Sequence, residues 1–214
     1  MSDELTQDYI KIILLGESGV GKTNLINVAV GNTFNANSHS SLTSSYFKGS
    51  ILINKKEFIY ILWDTAGQEA YRSLNAFFIK NSKIVIFVFS IESRKSFDEL
   101  DYWINSSKDE LDGNYIRAIV GNKCDLINEQ VVQEKEAEEY AKKNDMKIKF
   151  TSALSDPTGF KNFLNELIID YLKKTNPNFK DETCSIKDHI GIFIISIILA
   201  VLTFVLYTFI QIIN

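Results

Sequence analysis

Four short stretches carry residue types whose spacing fits nucleotide chemistry. "GESGVGKT" (Gly16–Thr23) matches G-x-x-x-x-G-K-[ST]. Glycines let a backbone curl until consecutive N–H groups point at phosphate oxygens. Lys22 then reaches the outer phosphates and the Thr23 hydroxyl holds Mg²⁺. In "WDTAGQE" (Trp63–Glu69), Asp64 can hold a metal-bound water, the Gly67 N–H can contact a terminal phosphate and Gln68 can orient an attacking water. In "GNKCDL" (Gly121–Leu126), the Asp125 carboxylate can accept from the N1–H and exocyclic amine of guanine, a donor pair adenine lacks. Asn122 and the stem of Lys123 would brace the ring. A backbone N–H in "TSA" (Thr151–Ala153) could donate to the guanine O6. Each stretch has a plainer reading. The first can be a glycine-rich turn capping a helix, the second an ordinary turn, and the third a polar loop.

These residues need strands and helices to hold them. Tyr9–Leu15, Lys83–Ser90, Ile116–Gly121 and Lys147–Phe150 read as strands, and Tyr46–Ile53 and Glu57–Trp63 as a hairpin around "NKK". Helical spacing predicts Lys22–Val30, Ser96–Leu111, Gln133–Asn144 and Phe160–Lys174. Every signature stretch thus follows a strand, and the first also precedes a helix, where phosphate binding needs it. Near-continuous apolar strands alternating with helices predict an α/β fold with a mostly parallel sheet covered on both faces.

Composition narrows the partners. The chain has 214 residues and a formal net charge of −4, so nucleic-acid binding has no electrostatic support. Two cysteines, Cys124 and Cys184, make no disulfide framework and suit a reducing compartment. The acidic start, "MSDELTQDYI", is unlike a signal peptide.

In order and spacing, the four stretches resemble the Ras superfamily of small GTPases, and the Rab family in particular. The resemblance covers about residues 8–175, and Ser18, where Ras-type sequences carry glycine, is also Rab-like. It implies a P-loop GTPase fold with a six-stranded sheet and five helices, GTP/GDP and Mg²⁺ as cofactors, slow hydrolysis, and two switch segments. It implies nucleotide contacts from Ser18, Gly19, Val20, Gly21, Lys22, Thr23, Asn24, Asp64, Gly67, Asn122, Lys123, Asp125, Ser152 and Ala153. It also implies catalysis through Lys22 and Gln68. Phe34 falls where the family sets an aromatic against the guanine ring, although core packing accounts for it equally simply.

The resemblance breaks at the first switch. Rabs read T-I-G-x-x-F there, with the threonine hydroxyl on Mg²⁺, whereas this chain reads "SHSSLTSSYF" (Ser38–Phe47). A gap-free count from Lys22 or from Trp63 places Ser41 at the threonine position. The metal set becomes Thr23, Ser41 and Asp64. A two-residue slip would substitute Thr43, and a third alternative leaves the switch without a hydroxyl ligand. In the second switch Ala70 removes a charge that Rabs usually carry. Tyr46, Trp63 and Phe78 correspond to the aromatic trio that Rabs show to effectors; simple burial is the alternative.

Rabs usually end in prenylated cysteines, and this chain has none there. Instead Ile190–Ile210 gives about 21 uncharged residues, or roughly 31 Å of helix against a ~30 Å hydrocarbon core. The organisation expected is a GTPase domain over 1–175, a linker over 176–189 and a transmembrane tail anchor over 190–213. Cys184 just before the span is a plain cysteine or a palmitoylation site. The function expected is a Rab-like GTPase acting as a switch in vesicle or organelle traffic, on an endomembrane and facing the cytosol. Its protein partners are effectors, exchange factors and activating proteins engaging residues 38–47 and 67–80. The rivals are a membrane scaffold that binds GTP and barely hydrolyses it, and a Ras- or Rho-like signalling GTPase.

Overall fold

Strands in the middle of the sheet alternate their side chains between two covered faces, which explains runs such as "IVIFVFS" with every residue buried. The computed structural model describes residues 9–36, 45–65, 78–111 and 113–180. Its strands are β1 (Ile10–Leu15), β2 (Ser45–Ile53), β3 (Lys56–Asp64), β4 (Ile84–Ser90), β5 (Ile116–Asn122) and β6 (Lys147–Phe150). They form one six-stranded sheet in the order β2-β3-β1-β4-β5-β6. Only β2 against β3 is antiparallel. Asn54 and Lys55 turn that hairpin, both with left-handed φ (50° and 64°), as a two-residue I′ turn requires.

On one face Ile12 and Leu14 of β1 and Ile86 and Val88 of β4 pack with α1 (Lys22–Ala29) and the long C-terminal helix Gly159–Thr175. On the other, Ile13, Leu15, Phe87 and Phe89 pack with Phe97, Trp103, Ile104 and Ala137 of three further helices. These are α2 (Arg94–Asp98), α3 (Leu100–Lys108) and α4 (Glu134–Lys143); Gly159–Thr175 is then α5. The single helix expected over Ser96–Leu111 is therefore two. The first starts earlier because Ser93 caps it, its hydroxyl accepting the Ser96 N–H at 3.3 Å. Hydrogen bonds still pass through the junction: Trp103 N–H donates to the Glu99 carbonyl at 3.2 Å.

The chain does not leave the domain at the end of α5. Asn176, extended before Pro177, opens a turn in which its carbonyl accepts the Phe179 N–H at 2.9 Å. Phe179 then meets Phe58 of β3 edge-on at 6.2 Å, and the Asn54 amide donates to the Lys180 carbonyl. Residues 176–180 of the expected linker thus lie against the hairpin. Ser41, Thr43, Gly67, Gln68, Ala70, Cys184 and the apolar run 190–213 lie outside the described residues. Among the described residues no helix is long and apolar enough to cross a membrane.

Candidate functional site

Gly16, Asp64, Asn122 and Thr151 lie at the C-terminal ends of β1, β3, β5 and β6, so the four signature stretches share one edge of the sheet. That edge is where open α/β sheets bind ligands. Two glycines of the first stretch are dictated by space. A Cβ on Gly16 would lie 2.1 Å from the Val88 carbonyl oxygen. Gly21 has φ +94°, and a Cβ there would meet the Asn122 amide at 2.3 Å. Gly21 is also the residue before α1, which has no side-chain cap and no acidic residue in its first turn. An uncapped helix start of this kind suits an anion.

Lys22 is buried, and its amine donates to the carbonyls of Gly16 (2.7 Å) and Glu17 (2.8 Å). Burial pushes its pKa down to about 8, against the opposing pull of Asp64 and Glu17. The Thr23 hydroxyl donates to Asp64 Oδ2 at 2.7 Å. A hydroxyl beside a carboxylate is a hard-oxygen pair that suits Mg²⁺. Among the described residues no group of three or more His, Cys, Asp or Glu could hold a metal. Thr23 and Asp64 supply two oxygens, which fits an ion that takes its remaining oxygens from phosphate and water.

On the base side, Asn122 turns to the neighbouring loops. Its amide donates to the Val20 carbonyl at 2.9 Å, and its oxygen accepts the Ala153 N–H at 3.3 Å. The side chain clips the phosphate loop to the "TSA" loop. Ser152 Oγ donates to Asp125 and accepts the N–H groups of Leu154 (3.2 Å) and Ser155 (3.0 Å). Asp125, itself exposed, is held in place by that hydroxyl. Lys123 has left-handed φ (64°), and its amine meets Glu92 at 2.5 Å. Cys124 is half-buried, and burial pushes its thiol pKa up.

Other expected residues have different surroundings. Asn24 exchanges two hydrogen bonds with the backbone of Asn35 (3.1 and 3.2 Å), so its amide fixes the loop after Phe34. Phe34 itself is half-buried against the core. Ser18 and Gly19 are exposed, and Val20 is buried. Tyr46, Trp63 and Phe78 form a continuous row, each ring 5.6 Å from the next, and Tyr46 is 65% exposed.

Three further residues at this edge stand out only in the folded chain. Glu92 braces Lys123, Lys95 stands 3.6 Å from Glu17, and Thr65 Oγ1 donates to the Leu14 carbonyl at 2.6 Å. Glu92 and Lys95 follow β4 and Thr65 follows β3 at the same sheet edge. That position was the available signal.

A sequence model of the Ras family matches residues 11–173. The GTP-binding protein ypt3 of Schizosaccharomyces pombe is 34% identical over 155 residues, 72% of each chain. The Ras-related protein rab-11.1 of Caenorhabditis elegans is 34% identical over 164 residues, 75% of this chain and 78% of its own. The Ras-related protein Rab11A of Lotus japonicus is 32% identical over 148 residues, 69% of this chain and 66% of its own. With the sheet order, the phosphate loop and the hydroxyl–carboxylate pair, these matches make the chain a Rab-like member of the Ras family of small GTPases, an enzyme that binds GTP and GDP with Mg²⁺.

Proposed function

We propose that this GTPase is a switch in vesicle or organelle traffic, held on an endomembrane by an apolar helix at residues 190–213 with its domain facing the cytosol. The meeting of the phosphate loop, Asp64, Asp125 and Ser152 on one sheet edge carries the nucleotide part of the reading. Lys22 and the Gly19–Asn24 backbone hold phosphates, Thr23, Ser41 and Asp64 hold Mg²⁺, and Gly67 contacts the terminal phosphate. Asp125 selects guanine, with Asn122, Lys123, Ser152 and Ala153 shaping its pocket. Gln68 orients the attacking water. Mg²⁺ supplies neutralisation of the charge that develops on the phosphates. Effectors and regulators engage residues 38–47 and 67–80, and the row Tyr46–Trp63–Phe78 supports that assignment with an aromatic surface.

Two of the relatives are Rab proteins, which supports a trafficking role over a Ras- or Rho-like signalling one. The uncharged run of about 21 residues supports the anchor. Two experiments test the proposal. Single-turnover GTP hydrolysis should be measurable in the parent and strongly slowed by Gln68→Leu with nucleotide binding kept. Equal rates would favour a scaffold. Carbonate washing should leave the full chain in the membrane pellet, and release would refute the anchor.

A further inference from the structure

The sheet has a second edge, and it is basic. Parallel strands begin there and helices end there, opposite the nucleotide site. Lys83 directly precedes β4, Arg117 is the second residue of β5, and Lys147 opens β6. Lys142 and Lys143 close α4, and Lys173 and Lys174 close α5. A lysine in the last turn of a helix complements the helix dipole, which is reason enough for those four. It does not explain the cations at strand starts, because sheets carry only small net dipoles. Nor does general basicity, since the whole chain has a net charge of −4.

Three of the cations, Arg117, Lys147 and Lys174, line a shallow cleft of about 480 Å³ together with Tyr115, Asp145 and Asp170. Internal contacts hold their charged ends at the cleft. Lys147 pairs with Asp170 at 2.5 Å and Lys174 donates to the Tyr115 carbonyl at 2.9 Å. Arg117 donates to the Asn144 carbonyl at 3.4 Å. Asp145 and Asp170 are the carboxylates of this cleft, and the cations outnumber them. The turn at Asn176–Lys180 sets the chain down on the hairpin at this same edge. From Lys180 to Ile190 the intervening nine residues can span at most about 35 Å.

We propose that this edge, through Lys83, Arg117, Lys142, Lys143, Lys147 and Lys174, rests on an anionic bilayer surface. The inference builds on the anchor proposed above. A tether that short keeps the domain at high local concentration over the membrane. A negatively charged leaflet attracts lysines and arginines within about a Debye length, ~8 Å. Docked this way, the nucleotide edge and the aromatic row face away from the lipid, where partner proteins reach them.

The test uses the full chain reconstituted into vesicles of phosphatidylcholine alone or with about a third phosphatidylserine. Lysine modification by a water-soluble amine reagent is read by mass spectrometry. Lys142, Lys143 and Lys174 should react several-fold more slowly on the anionic vesicles, and high salt should remove the difference. Lys95 and Lys135, at the nucleotide edge, should react alike on both. The variant Lys142→Glu, Lys143→Glu, Lys173→Glu should lose the protection at Lys174 while keeping nucleotide affinity. Equal labelling on both vesicles, with the chain retained after carbonate washing, would overturn the docked edge and leave the anchor standing. Release by carbonate would overturn the anchor, and the docked edge with it.

Discussion

The base half and the phosphate half of the nucleotide edge are organised differently. Around Asp125 the side chains are locked to each other: Ser152 holds the carboxylate, and Asn122 ties two loops together. Around Lys22 the side chains turn instead to their own loop and to one carboxylate. The lysine amine sits on its own loop's carbonyls, and the Thr23 hydroxyl sits on Asp64. If Asp125 reads the base as proposed, a pocket held this way confers selectivity at little reorganisation cost, whereas at Lys22 burial opposes the charge that a phosphate would favour.

The largest effect that would break this contrast is at Asp125. A site built to hydrogen-bond a substrate group rejects an analogue lacking it by up to ~10⁴-fold. Asp125→Asn should therefore invert the preference from GTP to xanthosine triphosphate, read by competition binding. Unchanged GTP affinity would remove Asp125 from the pocket. Next, Ser152→Ala deletes a hydroxyl that serves Asp125 and two backbone N–H groups. Hydrogen bonds to charged groups contribute about 1.5–3 kcal/mol, so GDP affinity should fall at least ~10-fold with the base preference intact. An unchanged affinity would mean that Asp125 needs no holding.

The phosphate half should reveal itself through pH. Burial pushes the Lys22 amine down to about 8, and phosphate charge would favour its protonated form. GDP affinity should be flat below about pH 7.5 and then fall towards tenfold per unit as pH rises past 8. Calorimetry in buffers of different ionisation enthalpy should show proton uptake on binding in that range. Fold stability moves the other way. An unfolded lysine keeps its proton to about pH 10.4, so the unfolded chain binds more protons between 8 and 10.4 and native stability rises with pH there. A GDP affinity flat to pH 9 would show that the lysine stays charged in the free state. The smallest effect belongs to Glu92→Gln. Its ion pair with Lys123 is partly exposed, so roughly a two- to fivefold faster GDP off-rate is expected. No change would confine Glu92 to the surface.

The contrast also separates what the sequence discloses from what it hides. Glycines at 16 and 21 and the strand before each motif follow from local pattern, because backbone space and two-sided burial act residue by residue. Six strands in one sheet is what the family resemblance implies, and their order is a non-local pairing that local pattern does not carry. Partners far apart in sequence do not. Glu92 reaches Lys123 across 31 positions, and Asn122 reaches Val20 across 102. Asn24 carries the right residue type beside the phosphate loop, yet its amide is engaged by Asn35, a choice only the folded loop defines. The break at Glu99 is hidden for a similar reason. Leu100, Trp103 and Ile104 keep one buried face whether one helix or two carries them.

The turn at Asn176–Lys180 has a mechanical meaning. Any pull on the polypeptide beyond Lys180 first loads the Asn54–Lys180 hydrogen bond and the Phe179–Phe58 contact, not the backbone of α5. These few contacts act as a fuse that takes the load ahead of the helix. Their release lets out slack while Phe160, Phe163, Leu164 and Leu167 stay buried against the sheet. Tension on the chain would therefore be felt at the β2–β3 hairpin before it could unwind the helix, and the core would be shielded from the first displacement.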